Sequence, residues 1–303
     1  MNRQSILKRE QGIALIAALF LIVVFAFLGT AVVSLYSTQG VSAMNEVRSD
    51  QALFIAEGGV EYGQRSLAQN LDWYRSTADP ILIPATNLGA GTFSVSMNLA
   101  AAELQTRIPN TTSVAPINVY STGRFPTSGY LQIDDDITDG QTEYVSYTGV
   151  TPNSFTGITR NVTLGSSPPI TGAASQYERG THVYPVTFLL SALGTLGSPC
   201  TPTTVPSFNI TAHSKFLSAG ILDVEGEEIR YLGSTTSGGT MTLLGVTRCL
   251  NSTSAAHAVN QPVTPILVDG VPPDYLAEVV STGTVTATVA GNAVRVVRKT
   301  VQR

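Results

Sequence analysis

An uninterrupted apolar segment close to the amino terminus constrains this chain of 303 residues more than any other feature. Residues 13–35 read IALIAALFLIVVFAFLGTAVVSL and contain no charged side chain. At ~1.5 Å rise per residue, a helix of this length extends about 35 Å, which is enough to cross a bilayer. The segment therefore predicts a transmembrane helix that anchors the remainder of the chain.

The charges that flank the apolar segment predict its orientation. Arg3, Lys8 and Arg9 precede it, whereas no charged residue follows until Glu46. Because Lys and Arg accumulate on the cytoplasmic side of membranes, we expect the amino terminus in the cytoplasm and the rest of the chain outside. A cleavable secretory signal is the alternative, because VSA at residues 41–43 resembles a signal-peptidase site. Such signals, however, have apolar cores of only about 7 to 15 residues.

Apolar side chains continue at helical spacing beyond the membrane segment, at Leu53, Ala56, Val60, Leu67 and Leu71. This amphipathic pattern predicts one helix over residues 13–70, with an apolar stripe that packs on the head of the protein. Gly58, Gly59 and Gly63 are expected to weaken or bend it, because glycine is a poor helix former.

After residue 80 the pattern changes to a period of two, as in TFSVSMNL at residues 92–99, which predicts a half-buried strand. The region is rich in Ser, Thr, Gly, Val and Pro, a composition typical of short strands and tight turns. The fold class predicted is α+β: a long N-terminal transmembrane and amphipathic α-helix followed by a β-rich exported head. The net charge of −4 and the lack of a Lys/Arg cluster argue against a nucleic-acid partner.

The junction between the polar leader and the apolar segment resembles a prepilin peptidase site. The leader ends in KREQG at residues 8–12, and the apolar segment starts at once with Ile13. Together with QGIALIAALFL at residues 11–21 and ALFIAEGGVE at residues 52–61, this start resembles PilX-type minor pilins. It is most similar to the mannose-sensitive haemagglutinin pilus biogenesis minor pilins. The resemblance covers about residues 8 to 68, and residues 294–301 resemble the closing hairpin of PilX-like heads.

That resemblance implies a processing route and a set of partners. A leader of residues 1–12 would be cleaved after Gly12 by prepilin peptidase, leaving Ile13 as a methylated amino terminus. The subunit would wait in the bacterial inner membrane as a single-pass protein, and its helix would then pack against other pilins in a periplasmic or extracellular filament. Two positions depart from major pilins: Ile13 replaces the usual Phe, and Ala17 replaces a Glu that is thought to pair with the neighbouring subunit's amino terminus. The missing Glu favours a minor subunit with a tip or priming role.

The middle of the chain contains an internal repeat. The first copy includes EYVSYTG at residues 143–149 and FTGITR at residues 155–160, and the second includes EIRYLG at residues 228–233 and LLGVTR at residues 243–248. The pattern of short strands and Gly turns resembles a small β module of phage tail fibres. The domains predicted are a pilin-like β head over residues 80–124 and 274–303, an inserted β module over residues 125–184, and a second inserted module over residues 208–266.

Sequence signatures of catalysis are missing. No GxSxG, P-loop, GxGxxG or HExxH occurs, and His182, His213 and His257 form no recognisable pair in the sequence, so we expect the protein not to be an enzyme. An acidic stretch concentrates the hard oxygen ligands that calcium prefers, at Asp134, Asp136, Asp139 and Glu143. A solvated hairpin tip is the alternative to a calcium site, and no other cofactor is expected.

Two further pairings are suggested by the repeat. Glu143 with Arg160, and Glu227 with Arg248, occupy equivalent positions, so each pair is expected to meet across neighbouring strands as a structural ion pair. A role in a binding surface is the alternative. Cys200 lies just before the second module and Cys249 directly follows Arg248, so a disulfide between them would close the loop around that module. Two free thiols are the alternative.

The function predicted is a minor pilin-like structural subunit that assists assembly of a type IV pilus-like filament or is incorporated into it, with a place at the tip. One alternative is a membrane-anchored adhesin or glycan-binding protein in which the repeats bind a surface ligand. Another is a minor pseudopilin of type II secretion, because both systems use the same leader and helix.

Overall fold

The computed structural model describes residues 3–70, 72, 75–111, 115–134, 142–165, 170–171, 176–196, 200–251, 255–266, 277–286 and 291–301, the first twelve of these by backbone only. One helix, α1 (Arg3–Gln69), precedes all strands. The first strands are β1 (Ile81–Leu88), β2 (Gly91–Leu99), β3 (Ala102–Glu103), β4 (Ile117–Asn118), β5 (Gly129–Asp134), β6 (Thr142–Tyr147), β7 (Gly149–Thr151), β8 (Ser154–Thr156), β9 (Thr163–Leu164), β10 (Ile170–Thr171) and β11 (His182–Phe188). They are followed by β12 (Thr203–Val205), β13 (Phe208–Thr211), β14 (Gly220–Val224), β15 (Glu227–Tyr231), β16 (Gly233–Ser237), β17 (Thr240–Leu244), β18 (Val246–Arg248), β19 (Pro262–Ile266), β20 (Ala277–Val285) and β21 (Ala293–Val301). This order of one long apolar helix and a β-rich remainder confirms the α+β prediction.

The carboxyl-terminal part of α1 packs on a four-stranded antiparallel sheet of order β1-β2-β20-β21. The core between them joins residues from the helix and from alternate positions of the strands, among them Ala52, Ile55, Val60, Leu67, Phe93, Val95, Met97, Val279 and Val285. Period-two alternation along β2 and β20 places these apolar side chains on the helix side of the sheet. Strands from the two ends of the β-rich region therefore meet beside the helix.

Glycines allow the helix and the sheet to approach closely. A Cβ at Gly59 would come within 2.9 Å of the Phe93 ring, and a Cβ at Gly63 within 2.8 Å of Val279. On the sheet side, a Cβ at Gly283 would meet the backbone carbonyl of Ala52. The helix continues without a break through these glycines. The glycines therefore do not interrupt the helix, because contact with the sheet stabilises it and also requires the small residues.

A second, larger sheet is built from strands that lie between β2 and β20 in the sequence. Its order is β12-β18-β15-β14-β19-β11-β5-β6, with β3 also paired to β11. Two cores line it. The first contains Leu104, Ile117, Leu131, Ile133, Val145, Tyr147, Phe155 and Tyr177. The second contains Leu189, Ile210, Leu222, Ile229, Tyr231, Met241, Leu243 and Val263.

Each of these cores is also lined by a small three-stranded sheet. The sheet of order β4-β8-β7 pairs Ile117 with Phe155, and the sheet of order β13-β17-β16 pairs Phe208 with Leu243. In the large sheet, Leu131 of β5 pairs with Pro185 of β11, and Leu222 of β14 pairs with Pro265 of β19. Strands β9 and β10 form a separate two-stranded sheet. The strands around the two cores therefore pair in corresponding registers.

Candidate assembly helix and sites of the head

The first part of α1 presents an apolar surface that nothing in the described chain covers. Its most apolar stretch is entirely unburied, with exposed side chains that include Leu15, Ile16, Phe20, Phe27, Val33 and Tyr36. By length and composition this helix is able to cross a membrane. Such a surface is stable only when lipid or other apolar helices cover it.

The same helix continues past the membrane-length segment to the head. Exposed apolar side chains extend to Met44, Val47 and Phe54, the last of which is 67% exposed. Ala52 and Ala56, on the opposite side, are fully buried against the sheet. The helix thus holds the head with one face and leaves its other face open.

The processing residues predicted from the sequence lie inside α1. Gly12 and Ile13 are part of its continuous helical backbone, and Ala17 is exposed. No carboxylate occurs between Ile13 and Glu46. The membrane-length segment therefore offers no internal partner for a buried amine.

The structure brings Glu143 and Arg160 together. The guanidinium donates to both carboxylate oxygens, at 2.8 Å from Nε and 2.5 Å from a terminal nitrogen. Arg160 also donates to the carbonyls of Pro109 and Thr111. Both side chains are buried, so this bidentate pair ties the loop around Pro109 to the first core and leaves little exposed charge for a ligand.

Glu227 and Arg248 form the corresponding pair, at 2.8 Å and 2.6 Å. Here a third group joins them: His257 Nε2 lies 2.7 Å from Glu227, and its Nδ1 lies 2.7 Å from Glu225. Sequence reasoning missed His257, and the only available signal was its place directly after Ala255 and Ala256, since two adjacent alanines, Ala173 and Ala174, also follow the first copy of the repeat.

The electrostatics of this cluster follow from its contacts. Burial alone would raise the pKa of Glu227, but the hydrogen bonds from His257 and Arg248 lower that pKa to about 2. Burial would also lower the pKa of His257, but the hydrogen bonds to Glu227 and Glu225 raise it. The cluster therefore favours an ionised Glu227 beside a protonated imidazole.

Cys200 and Cys249 form a disulfide, with their Cα atoms 6.0 Å apart. It links the start of β12 to the end of β18, two strands that pair with each other. The backbone N–H of Cys249 donates to Glu227 at 3.3 Å. The disulfide consequently lies directly beside the buried ionic cluster of the second core.

The predicted calcium ligands fall mostly outside the described residues. Asp136 and Asp139 lie in the segment that is not described, and only the backbone of Asp134 is described, at the end of β5. Glu143 is engaged with Arg160 and with the N–H of Asn161. Among the described side chains, no group of three or more His, Cys, Asp and Glu residues is arranged to hold a metal ion. The calcium site stays a prediction.

A buried ionic joint that the sequence did not reveal connects the four-stranded sheet, the first core and the second core. Asp79, just before β1, forms a buried ion pair with Lys215, and Arg124 lies 3.8 Å from the same carboxylate. Burial lowers the pKa of Lys215 to about 8, an effect that Asp79 opposes. Burial, aided by Lys215 and Arg124, lowers the pKa of His213 to about 3.

A cleft of about 640 Å³ opens next to this joint. Its lining combines residues of the four-stranded sheet with residues around both cores, including Glu278, Arg298, Arg124, His213, Thr236 and Met241. The lining of the cleft thus combines hydroxyl, charged and apolar groups.

Comparison with protein families identifies the amino-terminal segment. Residues 11–61 match the family model described as PilX N-terminal. Residues 11–61 are therefore a type IV pilin-like N-terminal segment, related at the family level to minor pilins of type IV pili, and the apolar helix found among the described residues fits a membrane-anchored protein. Comparisons with curated proteins and with solved structures found no match.

Proposed function

We propose that this protein is a non-enzymatic, minor pilin-like subunit that assists assembly of a type IV pilus-like filament or is incorporated at its tip. The observation that carries the proposal is the division of α1, which buries its last turns in a β-rich head and exposes a membrane-length apolar surface. The match over residues 11–61 supports the same function. Within this class, we propose the mannose-sensitive haemagglutinin pilus biogenesis type, and a type II secretion pseudopilin is the alternative.

The proposed route begins in the inner membrane, with the amino terminus in the cytoplasm and the head in the periplasm. Prepilin peptidase cleaves after Gly12, and Ile13 becomes the methylated amino terminus. The apolar surface of α1 then exchanges lipid contacts for contacts with other pilin helices. Ala17 supplies no carboxylate for a neighbour's amino terminus, which supports a place at the end of the filament.

We also propose that residues 125–184 and 208–266 are two related β modules inserted into a head of residues 80–124 and 274–303. Corresponding contacts support this division. The Tyr147 hydroxyl donates to the carbonyl of Pro126 at 3.2 Å, and the Tyr231 hydroxyl donates to that of Leu217 at 3.0 Å. The contacts recur at positions that correspond in the repeat, in agreement with the registers of the strands around the two cores.

Mass spectrometry of the mature amino terminus tests the processing route. We expect the full chain, produced together with a prepilin peptidase, to begin at a methylated Ile13. Gly12→Val should leave the chain uncleaved, whereas Gly40→Val, in an open part of the helix where a Cβ meets no neighbour, should be cleaved normally. An intact Met1 in the unsubstituted chain, or a chain that begins after Ala43, would contradict the proposal.

Purified filaments test incorporation. Immunogold labelling of the head should place the protein at filament ends. Filaments that form in its presence but lack it would restrict the role to assistance in assembly.

Ligand binding by the head is a second candidate function. It is favoured by the cleft between the four-stranded sheet and the first and second cores. Full-length protein in detergent should then bind members of an array of neutral and acidic oligosaccharides. Thr236→Trp, which fills the cleft, should abolish that binding, whereas Thr235→Trp on the neighbouring exposed position should retain it. Absence of binding by the unsubstituted protein would count against this candidate.

A further inference from the structure

Corresponding strands of the two proposed modules pair with each other. β11 and β19 occupy matching places, since each pairs with the first strand of its own hairpin. They are also antiparallel partners of one another, with Thr187 opposite Val263 and Phe188 opposite Pro262. Antiparallel pairing of two equivalent strands is the arrangement that a two-fold rotation axis produces.

A second set of contacts is reciprocal, and it joins the segment that leads into the first module to the corresponding segment of the second module. Arg124 and Lys215 correspond, because each directly precedes the phenylalanine that opens its repeat, Phe125 or Phe216. The guanidinium of Arg124 donates to the carbonyl of Ser214, and the ammonium of Lys215 donates to that of Gly123 at 3.5 Å. Each cation therefore binds the carbonyl that precedes the other cation. Reciprocity of this kind is the signature of an isologous interface.

Asp79 lies between the two corresponding cations and belongs to neither module. One carboxylate oxygen contacts Lys215, and the other lies 3.8 Å from Arg124 and accepts the N–H of Leu99 at 3.2 Å. The side chains of Asp79 and Lys215 are almost completely buried, and that of Arg124 is 15% exposed. Two buried cations so close together are unfavourable without an anion, and Asp79 is the carboxylate that contacts both.

We propose that residues 123–126 and 214–217 form a self-recognition surface, through which the two modules pair about an approximate two-fold axis, and that Asp79 fastens the pair to the head. Each of these two segments has the other as its partner, within the same chain. Asp79 acts as a positioning residue, so the modules keep one orientation on the head as a single body. This inference rests on the proposed repeat and is independent of how the amino terminus is processed.

Hydrogen–deuterium exchange of the full chain in detergent tests the proposal. Asp79→Asn removes the anion and leaves buried cations unpaired. We expect amides of residues 95–101, 120–126 and 213–219 to exchange at least about tenfold faster, because opening of the joint becomes easier. Amides of the hairpins β5–β6 and β14–β15 should keep their rates, since the modules themselves stay folded.

A double variant distinguishes the loss of the buried charge pair from general damage to the core. Asp79→Asn with Lys215→Met replaces the buried pair by neutral groups, so we expect exchange to return to within about threefold of the original rates. Glu61→Gln breaks an exposed carboxylate–lysine contact with Lys299 and should change nothing at the joint.

Three results would overturn the proposal: faster exchange confined to residues 213–219, unchanged exchange at the joint, or faster exchange in both hairpins that the double variant does not reverse. The first would leave only a local pair between Asp79 and Lys215. None of these results bears on whether the chain is cleaved after Gly12, so failure here is distinct from failure of the proposed pilin function.

Discussion

The pKa values of His213 and His257 are shifted in opposite directions, because burial dominates at His213 whereas contacts with two carboxylates outweigh burial at His257. His257 contacts Glu225 and Glu227, which raise its pKa. Its contribution to stability is therefore complete below the ordinary pKa and is lost as the pH rises through the raised value. Burial, with Lys215 and Arg124 nearby, lowers the pKa of His213 to about 3. The unfolded chain then binds more protons below about pH 6.5, so stability falls as the pH decreases from there toward 3.

His213→Asn tests this effect. The asparagine oxygen is able to replace Nδ1 as acceptor for the N–H of Lys215 but does not titrate. We expect the variant to lose about 1 to 2 kcal/mol less unfolding free energy than the original protein between pH 6.5 and 4.5. Denaturant unfolding in detergent at both pH values measures the difference. His182, whose pKa burial lowers to about 4, remains in both proteins, so an identical loss in the two would contradict the assignment to His213.

At the scale of elements, the sequence predicted what local patterns encode. The helix was expected to end near residue 70 and ends at Gln69, and the strand expected over residues 92–99 is β2, Gly91–Leu99. The two Glu–Arg contacts follow from the repeat. The contact of Asp79 with Lys215 joins residues 136 positions apart, and no local periodicity records such a pairing. The close contact of Gly59 with the sheet was not predicted either, because periodicity does not reveal which element packs on a helix.

Gly59→Leu tests the close approach of α1 to the sheet. The added side chain must displace Phe93 and Ser281, so we expect the head to lose about 2 to 3 kcal/mol of stability by overpacking. Near-ultraviolet circular dichroism during thermal unfolding measures the loss. Gly40→Leu adds the same side chain where a Cβ meets no neighbour, and the two variants should differ by several degrees in Tm. Equal melting temperatures would contradict the proposed packing role.

The disulfide is an element-scale restraint on one module only. It closes a loop across a sequence separation of 49 residues, and the lost conformational entropy of the unfolded chain corresponds to about 4 kcal/mol. Cys200→Ser with Cys249→Ser should therefore raise exchange in β14, β15 and β18 and leave β5 and β6 unchanged. Exchange measured by mass spectrometry provides this comparison within one chain. Equal increases around both cores would show that the restraint is not local.

At the scale of the whole molecule, α1 connects a membrane-length apolar surface to a head whose three largest cores, among the described residues, are those beside the helix and around the two proposed modules. Two long-range contacts, the β11–β19 pairing and the Asp79 joint, hold the two proposed modules together as one unit on the head. The apolar helix surface is the part that other subunits are able to cover. On the proposed function, we expect position 17 to influence where in a filament such a subunit fits, because Ala17 offers no carboxylate to a neighbour's amino terminus.

Ala17→Glu tests that reasoning on intact filaments. The new carboxylate is costly in lipid, by roughly 3 kcal/mol, unless an amine pairs with it, and the amino terminus of a neighbouring pilin would supply one. We expect gold label on the head to spread from filament ends to positions along the shaft. Ala18→Glu places the same charge one residue further, where the helix turns it by about 100°, and should reduce incorporation instead. Label that stays at the ends in Ala17→Glu, or that spreads equally in both variants, would show that the missing carboxylate does not set the position of this subunit.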